Sequence, residues 1–418
     1  MAETPLQKMA ILHPRFPRIG GAENLIASCS EVLLKNNWSV DLFTGEYARG
    51  LWPTLDRLNI HQMSTSRKFL RSKYFDAMRF RWQFTQALGT YDLIWAHNYP
   101  AMLWAQKAMR KFPRVKGVWY CNEPRRNLYP EITEPHLIDI DRYVPASKRK
   151  NNLRYYEMRE ELLADKNSFR NARDRAVEKR VIRDFGFIQT VSEYVGGLVR
   201  QLYGVEAECC YAPVLTPPAD VSRIHDGTWT VGCLATFAER KNFLNVFRAL
   251  EIVAKQNAKI KIKIGVAFPA QLHEYLKSHG LTAPAQFEIA DTFKPANLHQ
   301  FYQSLDLNLY LTLDEPLGLI PIEAALCGTP SLLSDHAGPG ELSRLGFGNS
   351  VNPMNDELIA DAVLKQFPKR LTVHEKRQLQ RLSDRHFGVE SFLARFQGQI
   401  ARSRQADLPP RPLPVTTY

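Results

Sequence analysis

Short apolar strands alternate with helix-spaced segments along most of this 418-residue chain, and this alternation limits the fold more than any other feature. Residues 9–13 predict a strand, residues 22–35 repeat apolar side chains at helical spacing, and residues 40–43 predict a second strand. Strand–helix–strand units of this kind build parallel α/β sheets. Further strands are predicted at residues 91–97, 117–121, 186–191, 230–234, 259–266, 307–311 and 331–333, and further helices at residues 193–202, 242–256, 298–304 and 391–402.

Two interruptions of the alternation predict the domain organisation. Residues from about 125 to 185 are first Pro-rich and then charged and helical. Tyr-Ala-Pro-Val at residues 211–214, followed by Pro217 and Pro218, is typical of a linker between domains. We therefore expect a Rossmann-like first domain at 1–213 with a basic helical insertion at about 125–185, a Rossmann-like second domain at 214–385, a C-terminal helix at 386–405 and a Pro-rich flexible tail at 406–418.

The composition is that of a globular protein with enough apolar material for a core, since 44% of the residues are hydrophobic and 23% are charged. The sequence contains no run of about 18 apolar residues, so we predict no membrane span, and the first residues carry no secretory pattern. The six cysteines lack metal-ligand spacing and are predicted to be buried free thiols of a reducing compartment. The formal net charge of +12 favours phosphates, nucleic acid or anionic lipid as partners, although solvated helix faces explain it as well.

The most specific functional signal is the segment DEPLGLIPIEAALCGTP at residues 314–330. Seven residues separate Glu315 from Glu323, and a Pro/Gly turn containing Gly318 opens a short helix between them. We expect both carboxylates to face one crevice, with backbone N–H groups at the helix start suited to a phosphate. The alternative is a surface turn with two solvated acids.

Other polar residues follow predicted strands, where the ligands of doubly wound sheets bind. Arg240 and Lys241 follow the strand at 230–234, and they either bind a negatively charged group or cap an ordinary turn. Residues 334–341 form a Gly-rich loop after the strand at 331–333. In the first domain, Gly20 and Gly21 precede a helix and would let a ligand approach the backbone closely.

Two further strand ends in the first domain carry polar side chains. His97 ends the strand at 91–97, where it would orient an acceptor or act as a base, although a lone His is more often structural. Asn122 follows the strand at 117–121 and offers hydrogen bonds but no titration near neutral pH. Glu123 beside it adds a carboxylate.

Together these segments resemble the retaining glycosyltransferases of family 4, which use nucleotide sugars. The resemblance rests on the E-x7-E segment with EA-x-x-x-GTP, on Gly-Gly-Ala-Glu at 20–23, on Val-Ser-Glu-Tyr-Val at 191–195 and on the loop at 334–341. It runs from about residue 9 to residue 341 and is stronger in the second domain. It implies the GT-B fold, in which two Rossmann-like domains face each other across a cleft and the last helix returns to the first domain.

The resemblance also implies roles for the strand-end residues. Glu323 would hold the ribose hydroxyls and Glu315 the hydroxyls of the donor sugar. Lys241 and the backbone at Gly318 and Leu319 would neutralise the diphosphate, and Gly20 and Gly21 would approach it from the first domain. Retention of anomeric configuration without a metal, a cofactor or a protein nucleophile is implied as well.

Two positions depart from the family's pattern. Cys233 stands where family members usually carry an arginine, so Arg240 is a candidate for the missing guanidinium. Asn122 stands where a histidine contacts the donor sugar near the reacting carbon. Both departures raise the alternative of a noncatalytic scaffold or partner subunit of the same fold.

The expected function is transfer of a mannose- or glucose-type hexose from a nucleotide sugar, with GDP or UDP as carrier, to a glycan or lipid-linked acceptor. The basic first domain, with Arg125, Arg126 and the run beginning at Lys148, suits an anionic membrane surface. We accordingly expect a cytoplasmic protein, with peripheral contact at the inner membrane face left open. A sugar-nucleotide epimerase and a glycan phosphorylase are rivals of the same architecture. Nucleic acid is not an expected partner, because aromatic–basic motifs are missing from the sequence.

Overall fold

The fold is described from a computed structural model in which residues 7–17, 20–63, 83–166, 168–221, 227–285, 287–292 and 294–405 are described. These residues form two compact units. The first unit contains the described residues of 1–129 and 164–215 together with residues 387–405. The second unit contains Pro130–Leu163 and the described residues of Thr216–His386.

Strands and helices alternate as the sequence predicts. The strands are β1 (Gln7–Phe16), β2 (Trp38–Tyr47), β3 (Asn59–Gln62), β4 (Leu93–His97), β5 (Lys116–Cys121), β6 (Phe187–Thr190), β7 (Glu208–Cys209), β8 (Thr230–Leu234), β9 (Lys261–Val266), β10 (Phe287–Asp291), β11 (Leu307–Tyr310), β12 (Ser331–Ser334) and β13 (Gly348–Val351). The helices are α1 (Gly21–Lys35), α2 (Asn98–Lys111), α3 (Pro130–Thr133), α4 (Pro135–Ile138), α5 (Ile140–Tyr143), α6 (Leu153–Lys166), α7 (Phe169–Ile182), α8 (Glu193–Tyr203), α9 (Phe243–Gln256), α10 (Pro269–Ser278), α11 (Pro295–Gln303), α12 (Ile320–Leu326), α13 (Ala337–Leu345), α14 (Asp356–Gln366), α15 (Val373–Phe387) and α16 (Val389–Gln405).

Each unit has one parallel sheet with the same winding. Among the described residues, the first sheet has the order β3-β2-β1-β4-β5-β6-β7 and the second the order β10-β9-β8-β11-β12-β13. The strand order reverses between β1 and β4 in the first sheet and between β8 and β11 in the second. Ligands of such sheets bind beyond the carboxyl ends of the strands at these reversal points. The doubly wound fold expected for both domains is confirmed.

Local sequence accounts for the elements that carry the sites. The β4 sequence Leu-Ile-Trp-Ala-His is buried along its whole length, as is typical of a central parallel strand covered on both faces. Helix α8 begins where the Ser192 hydroxyl accepts a hydrogen bond from the Val195 N–H at 3.1 Å, and it ends at Gly204, whose φ is +64°. Ser192 is therefore the N-cap of this helix.

The predicted domain boundary fails for Pro130–Leu163, which packs with the second unit although its sequence falls within the expected first domain. The reason is apolar packing, because this segment buries side chains against Leu313 and Met354 of the second unit. Its buried side chains are those of Leu137, Ile140, Val144, Tyr155 and Met158. The predicted charged helix at about 155–183 is two helices, α6 and α7, and the Ser168 hydroxyl caps the second of them by accepting from the Asn171 N–H.

The C-terminal helix α16 packs within the first unit. Phe396 contacts Trp38 and Trp95, with ring centroids 5.6 and 5.2 Å apart, and Gln399 donates a hydrogen bond to the Cys209 carbonyl at 2.9 Å. All six cysteines are buried free thiols, as predicted. The tail expected to be flexible at 406–418 lies outside the described residues.

Candidate active site

An ion pair between Lys241 and Glu315 forms the centre of the site in the second unit. The two residues follow β8 and β11, which are adjacent strands, and the Lys241 Nζ lies 2.7 Å from the Glu315 Oε2. Their side chains are 31% and 22% exposed, so solvent reaches both charges. The sequence predicts both residues as site residues, and the structure brings them together at the reversal point of the sheet.

Asn242 fixes the turn that presents Lys241, a role that sequence reasoning missed. Its backbone is left-handed, with φ +58°, which Asn tolerates better than most residues. Its buried amide donates to the carbonyls of Leu311 at 2.9 Å and Pro353 at 2.6 Å, and its Oδ1 accepts from the Tyr155 hydroxyl at 3.0 Å. The left-handed turn and these three bonds hold the Lys241 backbone against β11.

The turn after Glu315 depends on two glycines. Gly318 has φ +101°, and a Cβ there would overlap the Tyr310 ring. Gly338 at the start of α13 donates its N–H to the Glu315 carbonyl at 2.8 Å, and a Cβ there would overlap the backbone of Leu317. The loop at 334–341 thus packs directly on the glutamate turn.

Glu323 lies in the first turn of α12, after the Leu319 N-cap and behind the turn that carries Glu315. Its half-buried carboxylate accepts a hydrogen bond from the Tyr302 hydroxyl at 3.4 Å. Burial raises the pKa of Glu323, while the bond from Tyr302 lowers it. The short helix predicted between Gly318 and Gly328 is confirmed.

Arg240 is engaged with a carboxylate that sequence reasoning did not find. Its Nε donates to the Glu134 Oε1 at 2.8 Å, and Glu134 is fully buried. To serve as the missing guanidinium, Arg240 would therefore have to bind the diphosphate in competition with Glu134. Cys233 lies in β8 and lines, together with Lys241, a cavity of about 20 Å³. Burial raises the pKa of Cys233 to about 12, so its thiol is neutral and does not replace an arginine charge.

Asp314, directly before Glu315, pairs with His136, and sequence reasoning missed this contact too. The His136 Nδ1 lies 2.8 Å from the Asp314 Oδ1, and the His136 Nε2 lies 3.8 Å from the Asp335 Oδ1. Burial disfavours the charged imidazole, but the bonds to Asp314 and Asp335 outweigh it and raise the pKa of His136 to about 9. The imidazole is therefore protonated at neutral pH and balances a buried aspartate.

In the first unit, Gly20 is the N-cap of α1 and Gly21 is its first residue. A Cβ on Gly20 would overlap the Glu23 carboxylate, whereas a Cβ on Gly21 would meet open space. The Glu23 Oε1 also lies 3.5 Å from the His13 Nε2 on β1. The Glu23 carboxylate is the movable end of a flexible side chain, so packing does not require a glycine at either position.

His97 ends β4 as predicted, and its ring is fully buried in the first unit. It packs on Trp95 and Tyr120, with ring centroids 4.4 and 4.9 Å apart. Neither of its ring nitrogens has a hydrogen-bond partner among the described residues. Burial, helped by nearby His13, lowers the pKa of His97 well below its usual value, so the ring is neutral.

Asn122 follows β5, and its side chain is 9% exposed. Its backbone N–H donates to the Asn98 Oδ1 at 2.9 Å, while its side-chain amide has no partner among the described residues. Glu123 beside it forms a 2.7 Å ion pair with Arg126. Since Glu123 is already paired, it does not stand free to compensate for the missing histidine.

The basic residues that suggested an anionic surface are largely neutralised. Arg125 lies 2.9 Å from Asp174 and 3.3 Å from Glu178, and both carboxylates are buried. Lys148 lies 3.1 Å from Asp356 and 2.9 Å from Glu357, within the second unit. The sequence does not reveal these pairs, because the partners are distant along the chain.

Neither a membrane-spanning helix nor a metal-binding cluster is found among the described residues. In that part of the chain, no helix combines the length and the apolar character that crossing a membrane requires. The same residues contain no group of three or more His, Cys, Asp or Glu side chains placed to hold a metal ion.

Two family models match the sequence without overlap. Residues 219–378 match the glycosyl transferases group 1, and residues 19–212 match Glycosyltransferase Family 4. Sucrose synthase 4 of Oryza sativa subsp. japonica is 25% identical over 186 residues, which cover 42% of this chain and 22% of that protein. The chain thus spans less than a quarter of that curated relative.

Solved structures show the same fold at low identity. Anabaena HepE in complex with UDP and glucose is similar with a TM-score of 0.65 and 17% identity, over 95% of this chain and 100% of that one. Sucrose-phosphate synthase from Thermosynechococcus elongatus is similar with a TM-score of 0.65 and 16% identity, over 96% and 99%. The catalytic domain of Arabidopsis thaliana starch synthase IV bound to ADP and acarbose has a TM-score of 0.61 and 13% identity, over 96% and 100%. With two parallel sheets of Rossmann type, and with its two halves matched by the models of the glycosyl transferases group 1 and of Glycosyltransferase Family 4, this chain has the GT-B fold.

Proposed function

We propose that this protein transfers a mannose- or glucose-type hexose from a nucleotide sugar to a glycan or lipid-linked acceptor, with retention of configuration and without a metal ion. The observation that carries the proposal is the Lys241–Glu315 pair at the reversal point of the second sheet, with Glu323 on the helix that follows. Relatives of the same fold are described with UDP and glucose and with ADP and acarbose, which supports a nucleoside diphosphate hexose as donor.

Lys241 is suited to hold the leaving diphosphate. An ammonium group has three donors, and that of Lys241 donates one hydrogen bond to Glu315 at 2.7 Å. The remaining N–H groups can reach phosphate oxygens and stabilise the charge that develops as the bond to the sugar breaks. The backbone at Gly318 and Leu319 would add N–H donors at the start of α12.

The two glutamates would orient the donor. By the family resemblance, Glu323 accepts from the ribose hydroxyls and Glu315 from hydroxyls of the donor sugar. In a front-face reaction, the bond from the anomeric carbon to the phosphate oxygen breaks and a bond to the acceptor oxygen forms on the same face. The acceptor proton passes to the leaving phosphate, so the reaction needs no protein base and no titrating group at Asn122 or His97.

A thermal-shift panel of UDP, GDP, ADP and their common hexose conjugates, run with EDTA, tests this proposal. A selective rise of the melting temperature with one base would support a metal-independent nucleotide site and identify the donor for an acceptor search. If the whole panel gave no shift with EDTA and none with Mg²⁺, a noncatalytic subunit of the same fold would become the better interpretation. A shift seen only with Mg²⁺ would reject the proposed metal independence but would leave the nucleotide site supported.

We also propose contact with an anionic membrane. Because Arg125 and Lys148 are paired with carboxylates, this part of the proposal rests on helix α7 alone. Helix α7 exposes Phe169, which is 86% exposed, and its exposed residues include Arg170, Lys179 and Arg180. Such a surface suits anionic headgroups. Flotation with phosphatidylserine vesicles at low salt should recover the protein, and Phe169→Ser should reduce recovery. No flotation of the unmodified protein would reject the contact.

A further inference from the structure

We infer that Pro130–Leu163, here called the strap, is the element that positions Lys241 and Glu315, with Glu134, His136 and Tyr155 as its positioning residues. That the strap holds the Lys241 and Glu315 loops in place does not depend on the proposed function. Only the consequence for donor binding rests on it. The strap belongs to the second unit by packing although the flanking sequence belongs to the first.

The strap is anchored by an apolar cluster. Leu137, Ile140 and Tyr155 are buried against Leu313 and Met354. Leu313 lies two residues before Glu315, and its N–H donates to the Arg240 carbonyl at 2.7 Å. The cluster therefore supports the point where the two functional loops meet.

On the Lys241 loop, the strap contacts the residues on both sides of the lysine. Glu134 accepts from the Arg240 Nε at 2.8 Å. The Tyr155 hydroxyl lies 3.0 Å from the Asn242 Oδ1 and 3.2 Å from the Glu239 carbonyl. With both neighbours held, the backbone that carries the Lys241 side chain has little freedom.

On the Glu315 loop, the strap holds the preceding residue. His136 contacts Asp314 at 2.8 Å, and both side chains are fully buried. Asp314 has a positive φ of +49°, a strained backbone state that a surrounding structure must enforce. Asp335, His336 and Tyr143 also face the His136 ring. The strap thus fixes the residue whose geometry sets the direction of Glu315.

These contacts converge on one pair of atoms. The Lys241–Glu315 ion pair joins two loops. The strap forms hydrogen bonds or ion pairs with Arg240, Asn242 and Asp314 of these loops. Misplacement of a binding group by about 1 Å lowers the rate of an enzyme about 100-fold. Loosening the strap should therefore impair donor binding and turnover without removing any residue that contacts the donor.

Amide hydrogen exchange on the full chain tests the holding, with peptides covering residues 236–242 and 311–319. We expect both peptides to exchange at least about tenfold faster in His136→Ala and in Tyr155→Phe, while peptides from β9 and β12 stay protected. His136→Asn, which keeps a donor for Asp314, should retain part of the protection that His136→Ala loses. Glu134→Gln, which keeps an acceptor for Arg240, should likewise exchange more slowly than Glu134→Ala. Lys148→Ala is the matched control, because it removes a strap ion pair that ends on Asp356 and Glu357 instead.

Calorimetry with UDP, GDP and ADP tests the consequence. Variants with loosened loops should bind the nucleotide of the unmodified protein about tenfold more weakly, with partial rescue in His136→Asn. Unchanged exchange in the folded variant Tyr155→Phe and in His136→Ala would overturn the inference. Equal effects in Lys148→Ala would also overturn it, because they would show general destabilisation. If the loops loosen but the unmodified protein binds no nucleotide, the proposed function fails and the role of the strap stands.

Discussion

Both units place polar residues at the carboxyl ends of their strands, but the two units differ in whether these polar side chains have hydrogen-bond or ion-pair partners. In the second unit, Lys241 pairs with Glu315 and His136 with Asp314, so the charges at the site are balanced by protein groups. In the first unit, the side chains of His97 and Asn122 are buried and have no partner among the described residues. A buried polar group without a partner costs about 1–3 kcal/mol. Removing one partner of the fully buried His136–Asp314 pair should therefore lower stability, whereas replacing the unpaired ring of His97 should spare it.

The largest effect should follow from Lys241→Ala. Removing one group that stabilises a developing negative charge costs about 100- to 1000-fold in turnover, so we expect a loss of that size with the melting temperature nearly unchanged. The pair with Glu315 is partly exposed and contributes little to stability. Steady-state rates with the donor identified by the nucleotide panel measure this effect.

Lys263→Ala is the matched control for that substitution, because Lys263 pairs with Glu288 at 2.9 Å on the edge of the same sheet. It should leave turnover within about twofold. Near-normal turnover of Lys241→Ala would reject the active-site assignment in the second unit. The same loss of turnover is expected for Glu323→Ala, which tests the helix side of the site independently.

His136→Leu should destabilise the second unit by about 3 kcal/mol, because it leaves the Asp314 carboxylate buried without its counter-ion. The free energy of unfolding in urea measures this effect. Asp314→Asn combined with His136→Leu removes both charges, so the double variant should recover part of the lost stability. A single variant as stable as the unmodified protein would show that the buried pair does not hold the glutamate loop.

The His136 pair also predicts a dependence on pH. The pKa of His136 is about 9 in the folded protein and near 6.5 in the unfolded chain, so folding raises it. The stabilisation is then fully present below pH 6.5 and is lost as the pH rises through about 9. Melting temperatures from pH 6 to 10 should fall more steeply for the unmodified protein than for His136→Asn. Parallel curves would contradict a protonated His136.

Much of the second-unit site could be predicted from sequence because its signals are local. Glu315, Gly318 and Glu323 belong to one short segment, and Lys241 follows a strand whose pattern is visible. The Rossmann order likewise follows from the alternation of strands and helices. These features depend on neighbours along the chain, so the pattern is sufficient to find them.

The strap could not be predicted because its assignment depends on contacts distant in sequence. His136 and Asp314 are 178 residues apart, and Glu134 and Arg240 are 106 apart. The segment is charged and irregular, so its apolar side chains show no period that indicates the second unit as their partner. The sequence left a structural and a functional role open for His97 for a related reason, because the Tyr120 ring that covers it belongs to another strand.

The smallest effect, and the sharpest test of the comparison, should be that of His97→Phe. The imidazole of His97 is neutral, buried among Trp95 and Tyr120 and without a hydrogen-bond partner among the described residues, so an aromatic ring of similar shape removes a penalty and adds apolar contact. The extra volume partly offsets this gain, and we expect stability within about 1 kcal/mol of the unmodified protein. The free energy of unfolding in urea should change by less than about 1 kcal/mol in His97→Phe. In the same measurement it should fall by about 3 kcal/mol in His136→Leu. If His97→Phe were as damaging, the ring of His97 would have to make a polar contact in solution, and the two units would satisfy their buried histidines in the same way.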